Sequence, residues 1–175
     1  MKKLVVFALV IGGGCSAEVT APPPPPKPHV VAAQPAGVMA EVLKGYEDVR
    51  RALAADDVAA AHERAVALKR STDALNAETA APPPQAAALA AAAGGLVLGE
   101  SDLVKARAAF GELSRAVVAV VAADPSLQPG RFLFQCPMAK GYQRWVQLEE
   151  KMANPYMGKR MLECGEVVSV WKVEG

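Results

Sequence analysis

Aromatic residues are scarce in this chain, at 5% of 175 residues. A core with so few rings must be filled by small and branched aliphatic side chains. That favours closely packed helices over a large sandwich. Histidine is scarcer still, with only His29 and His62 in the whole chain. His29 stands in a proline-rich stretch, so a Ser-His-Asp or Cys-His arrangement would rest on His62 alone. The adjacent pairs Asp56-Asp57 and Glu149-Glu150 read as capping or solvated carboxylates, not as an acid–base couple. No catalytic constellation emerges, and the chain is expected not to be an enzyme. Excess charge is missing too. The formal net charge is +1, and loss of Lys2 and Lys3 with a leader would bring it near −1. No basic stripe draws such a chain to nucleic acid. The apolar run Leu4 to Ile11, "LVVFALVI", is far too short to cross a bilayer.

That short run follows the basic start "MKK" and precedes "GGGC" at Gly12 to Cys15, which together read as a signal peptide over 1–14. The glycines form a processing site, not a phosphate loop, because no strand precedes them and no Lys-Ser/Thr follows. The small residues before Cys15 resemble the lipobox of bacterial lipoproteins, although Gly12 stands where that pattern usually has leucine. The resemblance implies lipidation of Cys15 and a membrane anchor in the cell envelope, facing the periplasm. Ser16 is not the aspartate associated with inner-membrane retention, so the outer membrane is the favoured side. Residues 15–36 then form a linker. Its five prolines, Pro22 to Pro26, favour an extended polyproline II spacer.

A single domain is expected over 37–175, with helices in 37–124 and an appendage in 131–175. Val38, Val42, Tyr46, Val49 and Leu53 recur every three or four residues and mark one buried helix face. Asp56 or Asp57 is placed to cap a second helix carrying Val58, Ala61, Ala65, Leu68, Thr72 and Leu75. "AAPPPQ" at 80–85 ends it, and an alanine-rich third helix over 85–98 follows, with "GGL" expected to fray it. Ser101 or Asp102 can cap a fourth helix whose stripe is Leu103, Ala106, Phe110, Leu113, Val117 and Val120. The expected fold is mainly α, an up-and-down four-helix bundle. After "DPSLQPG" the texture changes. "RFLFQC" and "EVVSVWKV" suit short strands, and "QLEEKMA" between them suits a helical turn. The tail is therefore expected to be a small Cys/Met-containing loop or β-hairpin on the bundle.

Four of the six methionines and two of the three cysteines fall in that last third. Cys136 and Met138 are spaced for one strand face or tight loop, and Met161 and Cys164 for one helical turn. Each pair could offer a thiol and a thioether to a common point. Such soft ligands select Cu(I) over hard cations, and zinc does not use methionine. With Cys15 lipidated, Cys136 and Cys164 remain as an even pair in a compartment that permits disulfides. A bond between them would close a 28-residue loop and stabilise the fold by about 3.5 kcal/mol. Met138 and Met161 would then be flexible core filler. Both readings stay open at this level. His62 is a possible further ligand if the tail docks beside it.

The segment "CPMAKGYQRWVQLEEKMANPYMGKRMLECGE" resembles a bacterial domain family of unknown function found in exported proteins and beside adaptor subunits of heavy-metal efflux systems. Cys136-Pro137-Met138, Trp145 with Gln147, Asn154-Pro155-Tyr156 with Gly158, and Met161 with Cys164-Gly165 carry the likeness. Met157 departs from it, standing where the pattern has an aromatic residue. The resemblance implies a helical domain linked to copper or related heavy metals, and partners among efflux or copper-handling envelope proteins. It implies no established activity.

Overall fold

The computed structural model describes residues 37–78, 80–98 and 102–172. The signal-peptide, Cys15, His29 and proline-linker expectations, and Ser101 as a cap, lie outside these residues. Four helices come first: α1 (Val38–Ala54), α2 (Val58–Glu78), α3 (Ala86–Leu98) and α4 (Leu103–Ala123). A 3-10 turn at Pro125–Leu127 leads into β1 (Phe132–Gln135) and β2 (Arg144–Gln147). A second 3-10 turn at Gly158–Met161 precedes the short β3 (Glu166–Val167). The molecule is thus mainly helical, with a small three-stranded antiparallel sheet in the order β2-β1-β3.

Each helix packs on its successor in sequence, and α4 returns to α1. The apolar stripes explain this. Val42, Tyr46, Val49 and Leu53 of α1, and Ala61, Ala65, Leu68, Thr72 and Leu75 of α2, are all buried. Asp57 caps α2, its carboxylate accepting from Ala60 N at 2.9 Å. Asp56 instead takes a left-handed conformation, φ 57°, and serves another contact described below. Helix α3 does not fray at Gly94 and Gly95. It continues to Leu98, because Leu89, Ala93 and Leu96 bury its inner face.

Helix α4 is buried more widely than its 3-4 stripe requires. Besides Phe110, Leu113 and Val117, it buries Gly111, Ser114, Val118 and Val121. The reason is that β2 packs on α4 from another side, so the helix serves both the helical layer and the sheet. One continuous core runs from Val42 through Phe110 to Leu133, Phe134 and Trp145. The tail is therefore a structural partner of the helices and shares their core.

Two sequence expectations for the tail need correction. β1 forms its hairpin with Arg144–Gln147, a segment with no strand-like alternation, in the register Phe132↔Gln147 and Gln135↔Arg144. All four residues of β2 are buried, which removes the alternating signal. Among the described residues of "EVVSVWKV" only the two of β3 are strand, and "QLEEKMA" forms no helical turn. Gln147 ends β2, and its side chain holds the next loop: Nε2 donates to the carbonyls of Glu149 (2.7 Å) and Lys151 (2.8 Å).

The outer edge of β2 is met by hydroxyl groups rather than by another strand. Val146 N donates to Tyr46 Oη at 3.0 Å, and Tyr46 Oη lies 2.8 Å from Ser114 Oγ. Ser114 Oγ and Tyr156 Oη both donate to the Arg144 carbonyl, at 2.9 and 2.7 Å. Edge groups that would otherwise seek a partner strand are thus satisfied within the chain. Burial drives the Tyr46 and Tyr156 hydroxyls well above the ordinary phenol range, so both stay protonated.

Candidate functional site: a thiol pair under a pinned loop

Cys136 follows β1 directly, on the face that also carries Phe134 and Trp145. Its backbone N–H donates to Gln143 O at 2.9 Å and extends the β1–β2 ladder by one step. The connecting loop is gathered by the Gln143 side chain, whose Nε2 donates to the Pro137 and Ala139 carbonyls, both at 3.1 Å. Cys136 is consequently fully buried.

Cys164 arrives from the other end of the motif, and Asn154 delivers it. The Asn154 side chain is completely buried. Its Oδ1 accepts from Tyr156 N (2.8 Å) and Met157 N (3.1 Å), while Nδ2 donates to the Cys164 carbonyl at 2.5 Å. The Asn154 backbone adds two more bonds, to Leu162 O (2.7 Å) and from Gly158 N (3.0 Å). One amide therefore closes the loop 154–164 upon itself.

That loop is also fastened to the helices. Arg107 of α4 donates to Pro155 O at 2.9 Å and pairs with Asp56 at 2.5 Å. Asp56 in turn accepts from Lys159 N at 3.1 Å. Gly158 has φ 60°, and a Cβ there would collide with the Asp56 carboxylate and the Arg107 guanidinium. On the far side, buried Arg50 pairs with Glu47 (2.7 Å) and donates to Ala153 O (2.8 Å). Arg51 adds an ion pair to Glu149.

The outcome is that Cys136 Sγ and Cys164 Sγ lie 3.7 Å apart across 28 positions of sequence, each as a free thiol. The hydrogen bond to Cys136, which holds the Cys164 proton in place, is the foremost cause that pushes the Cys164 thiol upward, followed by burial and the neighbouring sulfur's charge. The same core carries a chain of ring contacts: Trp145 stacks on Phe134 at 5.4 Å and meets Tyr156 edge-on at 5.9 Å. The rings continue through Phe110 to Tyr46 of α1, at 5.7 and 5.3 Å.

The four sequence-predicted sulfur residues are placed unequally. Cys136 and Cys164 converge. Met138 sits in the hairpin loop with its side chain 59% exposed, and Met161 is half-buried at the end of the 3-10 turn. Met152 and Met157 pack on the core instead. His62 belongs to α2, which among the described elements packs on α1, α3 and α4 and on no strand. Trp145 and Tyr156 belong to the main core. Met152 went unnoticed in sequence, because nothing in "LEEKMANPY" marks one methionine among four.

Among the described residues no group of three or more His, Cys, Asp or Glu side chains could hold an ion. A typical metal–thiolate bond is about 2.3 Å. Two sulfurs 3.7 Å apart can both reach one ion at that length, whereas a linear dithiolate would need about 4.6 Å. The pair thus fits a bent S–metal–S unit to which no carboxylate, imidazole or third thiolate among the described residues adds a ligand. Thioether and carbonyl donors fill that role for a soft ion.

Elsewhere, a groove of about 550 Å³ runs between α3 and α4, where alanines and Gly95 face one another. Glu112 and Arg115 lie on its rim and pair at 3.5 Å. No helix among the described residues is long and apolar enough to cross a membrane. Comparisons with protein-family models, curated proteins and solved structures found no match to this chain.

Proposed function

We propose that this chain is an envelope lipoprotein that binds a soft heavy-metal ion, with copper as Cu(I) the best fit, through its C-terminal sulfur residues. Cys136 and Cys164 supply the thiolates, and Met138 and Met161 are the thioethers closest to them in sequence. The carrying observation is the approach of two free thiols to 3.7 Å where the described residues offer no hard third ligand. The preceding helices are read as an up-and-down bundle, supported by short connections and by packing of each helix on the next. Lipid on Cys15 would hold the domain at the membrane, outer rather than inner, and the proline stretch would space it from the surface. Heavy-metal efflux or copper-handling proteins of the envelope are the proposed partners. The reading has no catalytic role in it.

The test is competition for Cu(I) against a chromogenic chelator, with the full chain reduced and carrying Cys15→Ser. One equivalent should pass from the chelator to the protein, and Cys136→Ala or Cys164→Ala alone should abolish the transfer. A reduced protein that leaves the chelator fully loaded would end this reading.

The same distance also favours a second function. An envelope oxidant could take two electrons and two protons from the pair and leave a structural disulfide, in a module that only binds another envelope protein. Titration of the protein as isolated distinguishes the two: absent thiols, and a reduced form that does not compete for Cu(I), favour the disulfide.

A further inference from the structure

Two sulfurs 3.7 Å apart leave a bound ion open to further donors, and one thioether lies beside the residue that follows Cys164. The residue after Cys164 is Gly165, with φ 146°. A Cβ built there would stand 3.1 Å from Met152 Sδ, 3.1 Å from Trp145 Cη2 and 2.7 Å from Gln135 O. Gln135 is the residue before Cys136. The Met152 thioether therefore lies beside Gly165, the residue next to Cys164, where a side chain would crowd the sulfur and collide with the Gln135 carbonyl. Met138 offers a contrast, since its side chain is 59% exposed.

We infer that Met152 is the third sulfur ligand of the soft-ion site, with Gly165 as the residue that leaves room for it. This rests on the metal-binding reading above and deepens it. The chemistry is consistent throughout: a thioether is neutral and soft, so it binds Cu(I) or Ag(I) without adding charge to a buried dithiolate. Met152 packs on the core and is held in a loop that Gln147 fixes by three hydrogen bonds, including Ala153 N to Oε1 at 3.2 Å. Its sulfur is thus positioned before any ion arrives, which lowers the ordering cost of binding. Trp145 closes one side against water, and its indole N–H is directed to Gln147 Oε1 at 3.0 Å, away from a competing role.

The experiment uses the full chain with Cys15→Ser, reduced and loaded with one equivalent of Cu(I). Sulfur neighbours are counted by X-ray absorption and affinity is read by chelator competition. Met152→Leu, Met138→Leu and Met161→Leu are compared, with near-ultraviolet circular dichroism as the check on packing. The unsubstituted chain should show three sulfurs. Met152→Leu, close in volume, should show two and bind at least about tenfold more weakly, while Met138→Leu stays within about twofold. If Met152→Leu keeps three sulfurs and full affinity, the inference falls while metal binding stands. If the unsubstituted chain takes no Cu(I), the metal-binding reading itself falls.

Discussion

Asn154 concentrates more of the site's organisation than either cysteine. Its buried amide makes three side-chain hydrogen bonds, one of them to the carbonyl of Cys164. Asn154→Ala leaves buried backbone donors and an acceptor without partners, at about 1–3 kcal/mol for each group that water cannot reach. We expect a loss of about 3 kcal/mol in denaturant unfolding and faster alkylation of Cys164, because the loop that presents it is released. Tyr46 illustrates the same logic at the sheet edge. Tyr46→Phe keeps the ring stack on Phe110 but removes the acceptor for Val146 N, so about 1–3 kcal/mol should be lost. In sequence Asn154 is readable as the start of a turn, and Tyr46 as one apolar position in a stripe. Their polar atoms act on partners 10 and 100 positions away, and no local pattern reports such partners.

The Cys164 thiol gives a residue-scale pH dependence. Its folded value is raised, so the thiol is protonated at neutral pH and must lose that proton to bind an ion. Apparent affinity should therefore climb by about tenfold per pH unit for this proton, until the pH passes the raised thiol value. In the metal-free, reduced protein the sign for stability is the opposite. The contribution of a raised group is present below the ordinary thiol range and fades as pH rises through the folded value. Cu(I) titrations and thermal melts across the neutral-to-alkaline range check the two signs separately.

Among the elements, the helices were the most readable and the strands the least. The stripe in α1 predicts Val42, Tyr46, Val49 and Leu53, and all four are buried. In α4 the stripe found Phe110 and Leu113 but gave no sign of the second buried face at Gly111, Ser114 and Val118, which exists only because β2 packs there. β2 escaped notice because full burial erases its alternation. The caps were readable from chemistry: Asp102 accepts from Val104 N at 2.8 Å and from Lys105 N at 3.2 Å. Asp102→Ala should cost about 1 kcal/mol, visible as a lower unfolding midpoint with unchanged Cu(I) affinity. The ion pair in α1 behaves differently. Arg50 is almost wholly buried beside Glu47 and reaches the tail at Ala153 O. Arg50→Ala removes two of the hydrogen bonds to the buried Glu47 carboxylate and leaves it Arg51, at 2.9 Å, so the loss should fall below the about 3–5 kcal/mol of a fully stranded buried charge. Burial outweighs the arginine and holds the Glu47 carboxyl above its ordinary range. Glu47→Gln in the same background should recover part of that loss.

For the molecule as a whole, the helices act as a frame on which a loop-rich tail can hold two thiols in register. The tail has only short strands of two to four residues. It gains rigidity from α4, through Arg107 and Ser114, and from α1, through Tyr46 and Arg50. The convergence of Cys136 and Cys164 was readable in the sequence in two forms, as an even cysteine pair and as part of a cluster of four sulfur residues. Which of them meet depends on the fold, and the helices decide it. The account stands or falls on whether the two thiols act as one site, and protection from alkylation measures that directly. The reduced full chain carrying Cys15→Ser is treated with a thiol reagent before and after one equivalent of Cu(I), and the labels are mapped by mass spectrometry. The account predicts that half-buried Cys164 is labelled in the native free protein, that a single ion shields it, and that Cys136→Ala, which removes the buried partner thiol, abolishes the shielding. Full labelling of either cysteine in the native protein with Cu(I) present would contradict it.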